Sequence, residues 1–161
     1  MLAEDRTVLA ALITEERQAA LGTLAEGTPF VSMVLYAVDN DPVAGPSFII
    51  HVSRLSPHTR YLEAEPRASL LIARPDAGDD ETDPQALPRV TIQVVATPLA
   101  PGSEPYERAK AAYIARLPRA EYLFSFPDFT LFRLVPTEAR FIGGFAKAFA
   151  FSATRLREVL E

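Results

Sequence analysis

The chain has 161 residues, 48% of them hydrophobic and 23% charged, with a net charge of −5 and no cysteine. That length supports one domain with its own core, and no apolar run is long enough to cross a bilayer. The negative balance argues against a nucleic-acid partner held by phosphate neutralisation, and the missing cysteine excludes disulfides, thiolate nucleophiles and cysteine metal sites.

Helical spacing of Val8, Leu9, Leu12 and Ile13 predicts an N-terminal helix over residues 3–18, with Thr14-Glu15-Glu16 as a start signal for a second short one. Ala20 to Leu24 and Pro29 to Val38 read as a hairpin around Ala25-Glu26-Gly27-Thr28. Asp39 to Pro46 reads as a loop and Ser47 to Val52 as a third strand. Ser56-Pro57, an N-cap followed by proline at the first helical position, opens a helix from Pro57 to Ala64 that stops before Pro66. Arg67 to Ala73 is a fourth strand, and the acidic, proline-rich Arg74 to Pro88 an exposed loop.

Arg89 to Leu99 is a fifth strand, with Arg89, Thr91 and Gln93 alternating against Val90, Ile92 and Val94. Ser103 caps a second substantial helix ending at Arg116. Phe129 to Val135 and Ala139 to Ile142 form a last strand bent at Pro136, leading into the turn Gly143-Gly144-Phe145-Ala146-Lys147 and a C-terminal helix over 152–160. About six strands with short helices predict an antiparallel barrel with helical covers, mostly β or α+β, as a single domain over 1–161 whose barrel spans about 19–148. A Met1 start without a basic n-region and apolar h-region predicts a cytoplasmic protein, with neither membrane nor nucleic acid as partner.

The densest chemistry lies where the third strand meets the helix, at Ser53, Arg54, Ser56, His58, Thr59 and Arg60. Hydroxyls, guanidinium forks and the free N–H groups of a first helical turn together suit a phosphate, so a small anionic ligand is one reading. A plain capped helix with solvated basic residues is the other. His51, inside an apolar strand, reads as a satisfied core or interface residue and not as a ligand. With only His51 and His58 available, no histidine-built metal site is expected.

The segments LGTLAEGTPFVSMVLYAVD, FIIHVSRLSPHTRYLEAEPRASLLIA, LPRVTIQVVA and FTLFRLVPTEARFIGGFAKA cover most of residues 20–148. In order and wording they resemble the FMN-binding split barrels related to pyridoxamine 5′-phosphate oxidase, in particular the branch of haem-utilisation proteins. The resemblance implies a homodimer with FMN between the subunits. It implies phosphate contacts from Ser53, Arg54, His58, Thr59 and Arg60, and ring contacts along Ser32, Met33 and Val34. Arg89 and Gln93 would meet the ring edge or ribityl chain, and Phe145 and Lys147 would close the site from the partner. The family often carries asparagine where this chain has Tyr61 and glycine where it has Val94. The arginine-rich C-terminal pocket of true pyridoxamine-phosphate oxidases is not seen, so vitamin B6 oxidation is not expected.

The resemblance thus implies an FMN-binding flavoprotein, a flavin-dependent oxidoreductase acting on an unidentified small molecule, in which the cofactor carries the chemistry and no catalytic side chain is assigned. The alternatives are a haem-binding or haem-utilisation protein on the same fold, and a non-catalytic flavin-binding module. For haem, Tyr106, Tyr113 and Tyr122 are the candidate ligands that come after His58 in the chain.

Overall fold

Residues suited to strands recur along most of the chain, and eight strands form among the described residues. In chain order the elements are α1 (Ala3–Glu15), β1 (Gln18–Ala25), β2 (Thr28–Leu35), β3 (Ala37–Asp41), β4 (Gly45–Ser53), α2 (Pro57–Ala64), β5 (Arg67–Ala73), β6 (Arg89–Pro98), α3 (Glu104–Arg116), β7 (Phe129–Ile142), β8 (Ala148–Ser152) and α4 (Ala153–Leu160). Short 3-10 turns occupy Pro84–Ala86 and Pro118–Ser125. This computed structural model describes residues 1–43, 45–144 and 147–160. The strands run in the order β2-β1-β5-β6-β7-β4-β3 with β8 on β7, every pairing among the described residues is antiparallel, and the sheet is open with helices on its flanks: the split-barrel class that the resemblance implies. None of the helices among the described residues is long and apolar enough to cross a membrane.

The inner face of the sheet forms the main core. Leu21 of β1, Val34 of β2, Leu70 and Ile72 of β5, Ile92 and Val94 of β6 and Phe132 and Leu134 of β7 meet Leu9, Leu12 and Ile13 of α1 there. Tyr36 closes the bottom of this core by donating its hydroxyl to the Ile13 carbonyl at 2.7 Å. The outer face is divided. Over β4, β7 and β3 it is covered by α3 and residues 118–125, giving a second core of Ala37, Ile49, Leu131, Ala109, Tyr113, Leu117 and Ala120. Strand β4 is thus buried on both sides, so burial is continuous from Gly45 to Val52 instead of alternating, and it takes in the polar Ser47 and His51. Over β2, β1, β5 and β6 no described residue covers it, and Val31, Met33, Leu35, Leu71 and Val95 lie exposed.

Four differences from the sequence reading have physical causes. Strand β3 forms where a loop was expected, because Asp39 and Asp41, poor strand formers, are held by Arg133 of β7 at 3.0 and 2.9 Å. Strand β8 adds to β7 beyond the predicted turn, with Ile142 opposite Ala148. The last strand is one continuous β7: Pro136, lacking an N–H, sits where β7 passes from β4 to β8 and opposite the bulge at Gln93/Val94. The N-terminal helix ends at Glu15, not residue 18, since Gln18 already pairs with Leu35, and no second helix starts there.

Candidate functional site

Strand β4 delivers Ser53 and Arg54 beside the first turn of α2, as the sequence predicts, but several of the donors there are already used. Ser53 Oγ donates to Asp128 Oδ2 at 2.6 Å and accepts from the Leu55 N–H at 3.1 Å. The Arg54 N–H donates to the Asp128 carbonyl at 2.7 Å, and Thr59 Oγ1 donates to the Ser53 carbonyl at 2.5 Å. His58 Nδ1 lies 3.0 Å from Ser32 Oγ on β2, and burial pushes its pKa down. The Arg54 guanidinium is mostly exposed and meets Glu63 at 3.4 Å. Arg60 is exposed. A phosphate would therefore find the Ser53 and Thr59 hydroxyls committed and a carboxylate beside them, whereas the Ser56 hydroxyl and the Arg60 guanidinium make no hydrogen bond or ion pair among the described residues; Ser53 and Thr59 as placed do not fit the FMN phosphate contacts that the resemblance implies.

The remaining expected contacts are scattered. Val34 points into the main core, whereas Met33 is on the uncovered outer face. Gln93 stands on that same face, opposite Ser69 of β5. The Arg89 guanidinium holds the carbonyls of Gln85 and Leu87 at 2.9 and 3.2 Å, fastening the acidic loop instead of facing a ligand. Lys147 Nζ lies 3.2 Å from the buried Asp5 of α1, and the Leu2 N–H, followed by this ammonium, holds that carboxyl below its usual range. Phe145 lies outside the described residues.

His51 is a core residue, as expected, though of an unusual kind. Its ring stacks on Phe124 with centroids 3.8 Å apart and is flanked by Phe129 and Tyr113 at 5.0 and 6.0 Å. Its Nδ1 is buried without a hydrogen-bond partner among the described residues, so the ring is not the satisfied one that the sequence reading expects. Burial, with the Lys110 charge adding to it, pushes the pKa from 6.5 down to about 4. A histidine depressed in the folded state binds fewer protons there than when unfolded. Stability is therefore complete above the unfolded pKa and falls as pH drops towards the folded one. Between pH 6.5 and 4 the wild-type protein is expected to lose up to about 3 kcal/mol more than His51→Phe in urea denaturation. Equal pH slopes for the two proteins would contradict this.

A different place gathers a ligand-sized space. Where the covering layer on the outer face stops, a cavity of about 680 Å³ opens between Arg17 and Gln18 of the β1 entry, Leu35 at the end of β2, and Leu117, Pro118, Arg119, Ala120, Tyr122 and Leu123. The Arg17 and Arg119 side chains make no ion pair or hydrogen bond among the described residues. Tyr122 is 65% exposed. Sequence reasoning raised Tyr122 only as one of three tyrosines and missed the two arginines, which come together from positions a hundred residues apart through the pairing of β1 with β2 and the turn after α3.

The model of the CREG β-barrel family matches residues 4–153. The chain belongs to this family. Among its relatives is the chloroplastic heme oxygenase HOZ of Arabidopsis thaliana, 34% identical over 133 residues, covering 83% of this chain and 37% of that protein. The heme oxygenase HutZ of Vibrio cholerae is 28% identical over 147 residues, 88% of this chain and 78% of its own. The solved heme binding protein from Mycobacterium smegmatis superposes with a TM-score of 0.81 at 26% identity, over 98% of this chain and 62% of that one. This chain thus spans little more than a third of the plant relative and under two thirds of the mycobacterial one. The resemblance to the haem-utilisation branch of the split barrels holds for this CREG β-barrel chain.

Proposed function

We propose that this protein binds haem, as a homodimer, in the cavity between β1, β2 and the turn after α3. The observation that carries the reading is two guanidiniums, Arg17 and Arg119, unpaired among the described residues, beside an apolar wall of Leu35, Leu117 and Leu123 around about 680 Å³. That volume is in the usual range for a cofactor site, and the lining matches a flat apolar ring bearing carboxylates. The arginines would hold the two propionates and the leucines would face the macrocycle. Tyr122, whose phenol stands at the rim, would be the oxygen donor available to the iron. Bound haem supplies a redox-active iron, while the protein fixes the carboxylates and restricts water at the ring.

The names of the relatives from Arabidopsis, Vibrio and Mycobacterium support the same ligand. A second copy is the proposed cover for the uncovered face of β2, β1, β5 and β6, since Leu35 belongs both to that face and to the cavity wall. A cytoplasmic setting is part of this reading. The flavin-dependent oxidoreductase ranks second, its support being the split-barrel fold itself.

Haemin titration followed in the visible spectrum tests the site. Each arginine contributes about 1 kcal/mol at this solvent-screened location, so the Arg17→Gln, Arg119→Gln double variant is expected to bind haemin about thirtyfold more weakly. Replacing Arg54 and Arg60 by glutamine is expected to leave it unchanged. The reverse pattern would move the site to the β4–α2 junction.

A further inference from the structure

The β4–α2 junction has the composition of an anion site, but around Ser53 its donors are wired to a carboxylate. Four of its donors, the ones nearest Asp128 in the hydrogen-bond network, are the Ser53 and Thr59 hydroxyls and the Arg54 and Leu55 amides. All four are satisfied within the junction, and two of them by Asp128: Oδ2 takes the Ser53 hydroxyl at 2.6 Å and the backbone carbonyl takes the Arg54 N–H at 2.7 Å. Asp128 comes from the turn before β7, whose Phe129 pairs with Ser53 at the end of the ladder, so the sheet register itself delivers the carboxylate to this point. The local charge is also balanced. Arg54 and Arg60 provide two cations, Asp128 and Glu63 two anions, and the Arg54–Glu63 contact of 3.4 Å is on the surface.

A phosphate monoester needs the same hydroxyl and amide donors that Asp128 and the local carbonyls now hold, and it carries up to two negative charges into the space beside a carboxylate. We propose that Asp128 is a specificity-determining residue: its side chain stands in for the phosphate at the β4–α2 junction, so that this split barrel rejects phosphorylated cofactors. Asp128 has this role at the junction whether or not haem binds at the cavity of Arg17 and Arg119. The conservative change Asp128→Asn keeps an oxygen to accept the Ser53 hydroxyl, removes the repelling charge and adds an N–H that donates to an anion.

Fluorescence titrations of the full chain with FMN and with riboflavin, which is the same ring without the phosphate, isolate the phosphate term. Wild-type protein is expected to bind FMN no tighter than riboflavin. In Asp128→Asn the affinity for FMN is expected to rise at least about tenfold and that for riboflavin to stay the same, as one recovered charge-assisted contact would give. Asp128→Ser, which also removes the charge, is the second variant, and circular dichroism establishes that each is folded. The proposal is overturned if wild-type protein prefers FMN over riboflavin by about tenfold or more, a comparison that needs no variant. A folded Asp128→Asn and a folded Asp128→Ser that both leave the two affinities equal overturn it as well.

Discussion

Arg133→Ala is expected to destabilise the protein by about 3–5 kcal/mol, the usual cost of leaving a buried charge without its partner. Arg133 projects from β7 under α3 with only 9% of its side chain exposed, and its two terminal nitrogens lie 3.0 Å from Asp39 and 2.9 Å from Asp41. Arg108 of α3 closes the group, 3.5 Å from Asp39 and also bonded to Asp41, and reaches outward to Glu104 at 2.7 Å. Two aspartates and two arginines balance. Removing the more buried arginine leaves two carboxylates facing one guanidinium, in a place where water does not reach easily. Arg108→Ala should cost less, because its side chain is 27% exposed and solvent screens the residual charge. Urea denaturation of the two variants measures both effects, and a loss below about 1 kcal/mol for Arg133→Ala would mean that the group is hydrated and structurally dispensable.

The second large effect concerns assembly. Met33 is 60% exposed, Val31 67% and Leu71 40%, neighbours across β2, β1 and β5 through the pairs Met33–Ala20 and Ala20–Leu71. An apolar surface of this kind on a sheet whose other half is covered by α3 is what a second copy would bury. Met33→Asp puts one charge from each subunit into that contact, each costing several kcal/mol to desolvate unpaired, so the dimer constant is expected to weaken by about a thousandfold or more. Light scattering across a concentration series gives the answer. A wild-type protein that is monomeric at all concentrations would remove the dimer, and a Met33→Asp protein that stays dimeric would move it to another face.

The strands that alternate in sequence were legible, and so was the helix opened by Ser56-Pro57, because hydrophobic period and capping chemistry are local signals. Strand β3 was not. Asp39-Asn40-Asp41 reads as a turn, and only the arginines of β7 and α3, far along the chain, make it a strand. The junction shows the same division. Its residue types were visible at Ser53 and Thr59, but their partners were not, since Asp128 reaches Ser53 only through the β4–β7 pairing. Arg17 and Arg119 carry no signal of their own in the sequence. Their significance appears only when the fold brings them to one cavity and supplies neither with a counter-charge among the described residues.

If this split barrel takes haem and not FMN, one wild-type preparation titrated in parallel with haemin and with FMN, each followed by its own visible absorption, will show the difference. A saturating haemin curve is expected, with no saturable FMN spectrum in the same concentration range. Saturable FMN binding without haemin binding would contradict the haem assignment.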